Sequence, residues 1–336
     1  MTYIFFYENY DIYKTEQLCA NLYRLMEMIF IARKINAILV LPNLYFTPRN
    51  NELIDKNNKL IIDRIELIDL HNILDINHIY NICKCISLTE YFKLKHKHTI
   101  LISKENDNIP INNYMYFTIY GILKYDIENK IKYSSLNILN HLINLQNFDN
   151  IIIHNYNRLG NPVWYHKYQD EYKLIRNAIK FHNKYYDNID TEIENTLMVH
   201  WRRGDFKLDL EGEEETKEYY KKYNRLNKID NLLKNIIYRS IENEINNVFL
   251  ITNATEESEL NTISSILKEF NIELKIFKSI KDNNNLNYLF TDISGLIIGS
   301  KCKYQLHGYG NFDRMSQYGR WMIEERNDDK QIYFIE

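Results

Sequence analysis

One stretch of the chain decides the fold: Thr196-Leu197-Met198-Val199-His200-Trp201-Arg202-Arg203-Gly204-Asp205-Phe206. Its apolar start predicts a buried strand, and the charged residues follow at the strand's carboxyl end. In open α/β sheets ligands bind beyond the carboxyl ends of the strands, so this position suits the binding of an anion. The guanidinium groups of Arg202 and Arg203 match phosphate oxygens, and Asp205 can hold one of them in place. The ordinary alternative is an ion pair at a strand end with no ligand.

The chain after this stretch alternates between helical and strand patterns. Such alternation is typical of a parallel sheet with helices on both faces. The predicted segments are a helix at Lys228–Ile241, a strand at Val248–Thr252, a helix at Glu256–Phe270, a strand at Glu273–Phe277, apolar pieces at Ile293–Ile298 and Lys303–Gln305, and an amphipathic end at Arg314–Glu325.

The start of the chain carries a second unit of the same kind. A strand at Tyr3–Tyr7, a helix from Glu16 to about Lys34 and a strand at Ala37–Leu41 form a βαβ unit, which implies parallel strands. The 336 residues suffice for two domains, which we place at 1–190 and 191–336. We also expect a hinge at Asn155–Trp164, and a helix from Glu171 to about Tyr186 before the central strand.

The composition makes some classes of function and location less expected than others. The net charge is −3 and there is no basic tract, so binding to nucleic acid is not expected. No stretch reaches the roughly 18–20 apolar residues that cross a bilayer, so we expect no membrane span. The four cysteines follow neither zinc-site nor disulfide spacing and are expected to be free thiols. With no signal-like start, these features favour a cytoplasmic protein.

The residues His200, Arg202, Arg203 and Asp205 resemble the HxRRxD motif of GDP-fucose-dependent fucosyltransferases. That group includes the protein O-fucosyltransferases and the alpha-1,6- and alpha-1,2-fucosyltransferases. The resemblance implies the GT-B architecture, in which two Rossmann-like domains face a cleft. It also implies transfer of fucose from GDP-fucose to a glycan or protein acceptor by a single inverting displacement. The first domain would then be the acceptor side, and the second would bind the nucleotide sugar.

The resemblance extends to the helix near the N-terminus. Asn21 and Arg24, with Glu27 and the strand ending at Pro42, match a family segment that opens with a Gly-rich loop. That loop has no counterpart here, because residues 8–14 contain no glycine. The resemblance implies that Asn21 and Arg24 bind the donor. The alternative is an ordinary polar helix face.

Three sites in the second half also resemble the family. Asn253 stands where the family has an acid beside the nucleotide, and Asp292 matches the residue that reads the edge of guanine. Asn311 and Phe312 fall in the loop that holds a phosphate at a helix start. Phe312 fits the family pattern, whereas Asn311 and Asp313 replace hydroxyl residues. The resemblance covers about the first 45 residues and about 195–325.

The family mechanism assigns the diphosphate to Arg202, with support from Arg203; His200 and Asp205 complete the donor site. The chain contains no Asp-x-Asp sequence, so we expect neither a divalent metal nor another cofactor. Glu16 is our candidate for the catalytic base; the alternative is a first-turn acid that favours the helix dipole. Two other functions stay open. One is transfer from a different nucleotide sugar, and the other is a catalytically inactive module that binds glycans or proteins.

Overall fold

The computed structural model describes residues 1–7, 18–41, 44–45, 67–68, 70–91, 93–94, 98–104, 114–118, 121–125, 129–133, 142, 145, 147–154, 167–186, 193, 195–202, 228–252, 254, 256–278, 285–308, 317–324 and 331–335. The chain divides into two compact units, Met1–His182 and Asn183–Glu336. The sequence-based boundary, between 190 and 191, falls slightly later. The hinge expected at 155–164 lies outside the described residues, and the division between the units falls after it.

The first unit combines a parallel sheet with helices and two short antiparallel pairs. Its described strands are β1 (Tyr3–Tyr7), β2 (Ile38–Val40), β3 (Leu44–Tyr45), β4 (Leu67–Ile68), β5 (Cys85–Ile86), β6 (Thr99–Lys104), β7 (Tyr114–Thr118), β8 (Gly121–Tyr125), β9 (Asn129–Tyr133) and β10 (Asn150–His154). Its described helices are α1 (Leu18–Lys34), α2 (Asn77–Tyr80), α3 (Leu88–Tyr91) and α4 (Gln169–Ala178).

The main sheet of the first unit has the strand order β5-β2-β1-β10-β6-β9. The predicted βαβ unit is confirmed, because β1 pairs with β2 in parallel and α1 connects them. Helix α1 is buried along most of its length and packs on β2 and α4. An ion pair fixes the second contact, with Arg33 Nε lying 2.7 Å from Glu171 Oε1. The predicted helix at Glu171–Tyr186 is shorter than expected and ends at Ala178.

The second unit is a regular alternation of strands and helices. Its described elements are β11 (Thr196–Trp201), α5 (Ile229–Glu242), β12 (Asn247–Thr252), α6 (Glu257–Glu269), β13 (Glu273–Lys278), α7 (Asn285–Lys301), β14 (Tyr304–His307), α8 (Gln317–Glu324) and β15 (Gln331–Phe334). These bounds confirm the predicted strand–helix alternation from β11 to β13. The predicted α/β class is also confirmed, because every pairing within the two larger sheets is parallel.

The sheet of the second unit has the order β13-β12-β11-β14-β15, with the first strand of the unit at its centre. Side chains alternate along a strand, so β11 presents two faces. Leu197, Val199 and Trp201 lie in the core cluster that includes residues of α5 and α6. His200 lies on the opposite face, where its ring contacts Tyr318 of α8. Within the described residues, no helix is both long and apolar enough to cross a membrane.

Candidate donor site

The end of β11 lies at the point where the strand order reverses. The chain passes from β11 outward to β12 and β13, and then returns to the other side of β11 with β14. In doubly wound sheets the crevice beyond the carboxyl ends at such a point is the usual ligand site. At this position His200 lies near the end of β11, and Arg202 follows the strand. His307 of β14 lies directly opposite His200 in the parallel ladder.

The main chain leading to Arg202 is held from both neighbouring strands. The Gly308 N–H donates to the carbonyl of His200 at 2.7 Å, on the β14 side. On the β12 side, the Thr252 hydroxyl donates to the carbonyl of Trp201 at 2.7 Å and accepts the N–H of Ala254 at 3.1 Å. Arg202 therefore leaves the sheet from a fixed position.

His200 is a buried, neutral imidazole. Its ring lies 5.5 Å from that of Tyr318 and 6.0 Å from that of His307, measured between ring centroids. Burial, with the nearby Arg202 charge second, lowers the pKa of His200 to about 3. The imidazole is therefore uncharged near neutral pH, and Arg202 supplies a permanent positive charge at this strand end.

Asp292 is brought to the same region by a chain of contacts. It lies half-buried on α7, and its backbone carbonyl accepts a hydrogen bond of 2.7 Å from the Tyr318 hydroxyl. The Tyr318 ring in turn packs on His200. The structure thus links His200 to Asp292, which lies 92 residues later in the sequence, through Tyr318.

Comparison with known proteins adds evidence from structure alone. No protein-family model matches the sequence, and no curated protein matches it significantly. Among solved structures, POFUT1 in complex with GDP has a TM-score of 0.65 at 10% identity, covering 99% of this chain and 98% of that one. POFUT1 in complex with GDP-fucose has a TM-score of 0.62 at 10% identity, covering 99% and 97%. NodZ alpha-1,6-fucosyltransferase co-crystallised with GDP has a TM-score of 0.50 at 10% identity, covering 96% and 91%.

The chain has the GT-B fold. At this level of identity the likeness shows the fold and not the activity, which must be argued from the site. The GT-B fold agrees with the two parallel sheets described above, each in its own unit.

In the first GT-B unit, the structure corrects one alternative for Asn21 and Arg24. Both lie on α1 with exposed fractions of only 6% and 2%, and Glu27 has 4%. The alternative of an ordinary polar helix face does not hold, because such a face is exposed and this one is buried. Burying charged groups is unfavourable unless they are paired, and these side chains have interaction partners within the structure. Their role in donor binding stays a prediction.

Several predicted site residues lie outside the described residues. They are Glu16, Arg203, Asp205, Asn253, Asn311 and Phe312. Their predicted roles therefore stay predictions. Within the part of the chain that the structure describes, no group of three or more His, Cys, Asp or Glu is arranged to hold a metal ion. The described cysteines are free thiols, and Cys19, Cys83 and Cys302 are buried.

Sequence reasoning missed Thr252, Gln305, His307 and Tyr318. One signal was available, because Gln305 and His307 are polar residues two apart in a strand that is otherwise buried. In a strand this spacing places both on one face. Thr252 and Tyr318 carry no such signal, since their roles arise only when the strands and helices are brought together.

Proposed function

We propose that this protein is a glycosyltransferase that transfers fucose from GDP-fucose to a glycan or protein acceptor. The observation that carries the proposal is the position of His200 near the end of β11 and of Arg202 directly after it, at the reversal point of a Rossmann-like sheet. The GT-B fold supports it, since the solved structures of similar fold include fucosyltransferases with GDP and GDP-fucose bound.

Arg202 is proposed to bind the diphosphate of the donor. Its guanidinium is a planar fork that donates two parallel hydrogen bonds to phosphate oxygens, and its charge does not depend on pH. The backbone before it is tied to both neighbouring strands, so the Arg202 side chain starts from a fixed backbone position before the donor binds. Such preorganised charge is worth most where negative charge grows during the reaction. Arg203 and Asp205 are proposed to brace this loop.

His200 is proposed to contribute hydrogen bonding without charge. A neutral imidazole offers one donor and one acceptor nitrogen. Because burial and Arg202 keep His200 neutral, it does not act as a second cation at the phosphate. The positive charge at the described strand end is thus that of Arg202.

Asp292 is proposed to recognise guanine. A carboxylate accepts the N1 and N2 hydrogens of guanine, and neither adenine nor uracil presents that pair of donors. The link from Asp292 to the β11 end supports this proposal, because the Tyr318 hydroxyl binds the Asp292 carbonyl and the Tyr318 ring packs on His200. Asn253, Asn311 and Phe312 are proposed to complete the nucleotide site, and Asn21 and Arg24 are proposed to bind the donor.

The proposed reaction is one displacement at the anomeric carbon of fucose. The acceptor oxygen forms the new bond to that carbon, and the bond from the carbon to the β-phosphate oxygen breaks. The bonding pair leaves with GDP, whose added negative charge Arg202 stabilises. The acceptor proton passes to a base, for which we propose Glu16. Attack opposite the leaving group inverts the anomeric centre, and the step requires no metal ion.

A thermal-shift screen with GDP, GDP-fucose, UDP and CMP tests the proposal. A ligand at 100 times its Kd stabilises the folded state by about 2.7 kcal/mol, or about 5–10 °C for a domain of this size. We expect GDP and GDP-fucose to raise the Tm in this way and UDP and CMP to leave it unchanged. A response to UDP or CMP instead would favour a different donor. No response to any nucleotide would favour a glycan- or protein-binding module.

A further inference from the structure

His307 belongs to a closed ring of contacts beneath the donor site. Its ring lies 6.0 Å from His200 at an interplanar angle of 63°. His200 packs on Tyr318, whose hydroxyl binds the carbonyl of Asp292 in α7. On its other side His307 contacts Gln305, with His307 Nε2 lying 3.1 Å from Gln305 Oε1. The Gln305 amide then binds α7 near its C-terminal end.

The hydrogen bonds of Gln305 fix the tautomer of His307. The Gln305 side-chain nitrogen donates to the carbonyls of Gly299 at 2.9 Å and Cys302 at 3.4 Å. Carbonyls only accept, so the amide cannot be reversed and its oxygen must face His307. His307 Nε2 therefore carries the hydrogen and donates it. Burial, and the neighbouring His200 second, hold the pKa of His307 well below its ordinary value, so its Nδ1 is unprotonated.

The placement of His307 is unfavourable for stability alone. The residue is fully buried, and its Nδ1 has no hydrogen-bond partner among the described residues. A buried acceptor without a partner costs free energy, whereas an apolar side chain of similar shape would not. Besides its contact with Phe334, His307 connects β11 to α7, because it packs on His200 and donates to Gln305, whose amide binds α7.

We propose that His307 is a positioning residue that locks the His200–Arg202 strand end and the Asp292 turn into one rigid unit. This inference rests on the proposed GDP site, in which Arg202 binds the phosphates and Asp292 binds the base. GDP engages both ends at once, so its affinity depends on their fixed separation. A ligand that engages one end only does not sense that separation.

His307→Phe separates this role from packing. Phenylalanine keeps an aromatic ring against His200 but cannot donate to Gln305. The control is Phe334→Leu, because Phe334 also packs on His307, at 6.3 Å between centroids, but its side chain has no hydrogen-bonding group. Titration calorimetry would measure the Kd of GDP. Competition against GDP would measure the Kd of inorganic pyrophosphate and of guanosine. For His307→Phe we expect GDP binding about tenfold weaker. Pyrophosphate and guanosine should stay within about twofold, and Phe334→Leu should bind GDP as the wild type does.

Hydrogen exchange of the ligand-free protein provides a second measurement. In His307→Phe, amides at 292–300 and 198–202 should exchange faster than in Phe334→Leu at matched global stability. If the wild type binds no GDP, the proposed function fails while exchange still tests the rigid unit. Unchanged GDP affinity in His307→Phe, equal losses for all three ligands, or exchange no faster than in the control would each overturn the positioning role.

Discussion

Gly295→Ala tests whether the Tyr318 link is as rigid as the structure indicates. A Cβ at Gly295 would lie 2.5 Å from the Tyr318 hydroxyl oxygen and 3.1 Å from Phe277 Cε1. Tyr318 cannot retreat without losing its 2.7 Å hydrogen bond to Asp292. Overpacking costs about 1–3 kcal/mol and the lost hydrogen bond about 0.5–1.5 kcal/mol, against about 1 kcal/mol gained in helix propensity. We expect a net loss of about 2 kcal/mol, or about 4–8 °C in Tm.

Gly299→Ala is the matched control on the same helix. Its Cβ would meet the thioether of Met322, and Ile251 Cδ1 at 3.4 Å. Methionine is unbranched and can move aside, so we expect a loss of less than about 1 kcal/mol. Denaturant unfolding with linear extrapolation would measure both free energies. Equal effects of the two substitutions, or a more stable Gly295→Ala protein, would refute a rigid Tyr318–Asp292 contact.

The remaining predictions concern charge and specificity. The folded pKa of His200, about 3, lies below the ordinary 6.5, so the unfolded state takes up the proton first and stability falls as pH drops below 6.5. Between pH 7 and pH 5 we expect the free energy of unfolding to fall by about 2 kcal/mol more in the wild type than in His200→Gln, as measured by denaturant unfolding. Asp292→Ala should weaken GDP binding by about 1.5–3 kcal/mol, whereas Glu269→Ala, at the exposed last residue of α6, should not. EDTA should leave the turnover of GDP-fucose unchanged. Loss of turnover in EDTA and its recovery with Mn²⁺ or Mg²⁺ would show that the reaction depends on a metal ion.

Part of the fold could be predicted because local pattern and tertiary role agree. The apolar steps along α1 and the run Leu197–Val199 indicate buried elements, and both are buried in the structure. Strand β10, which lies between β1 and β6, was missed because Ile151–Ile153 is a short apolar run flanked by Asn and Asp. Strand β15 was missed because it is a half-exposed edge strand with no strong alternation.

Candidate site residues could be predicted only where they belong to one short stretch of sequence. His200 and Arg202 lie two residues apart in one motif, so residue type and spacing indicate a buried strand followed by a charged residue. The contacts that hold them come from register and helix packing, as with His307 opposite His200 and Tyr318 above it. Such contacts join residues about a hundred positions apart, and single-sequence periodicity carries no information at that distance.

The most direct test of Arg202 as the group that stabilises the leaving GDP is turnover of GDP-fucose by Arg202→Lys. Release of GDP would be followed with water as the acceptor, and donor binding would be measured separately on folded protein. Lysine keeps the charge but loses the planar fork, so we expect kcat to fall about 10²–10³-fold with a smaller change in KM. Near-normal turnover by Arg202→Lys, or no release of GDP by the wild type, would contradict the proposed role.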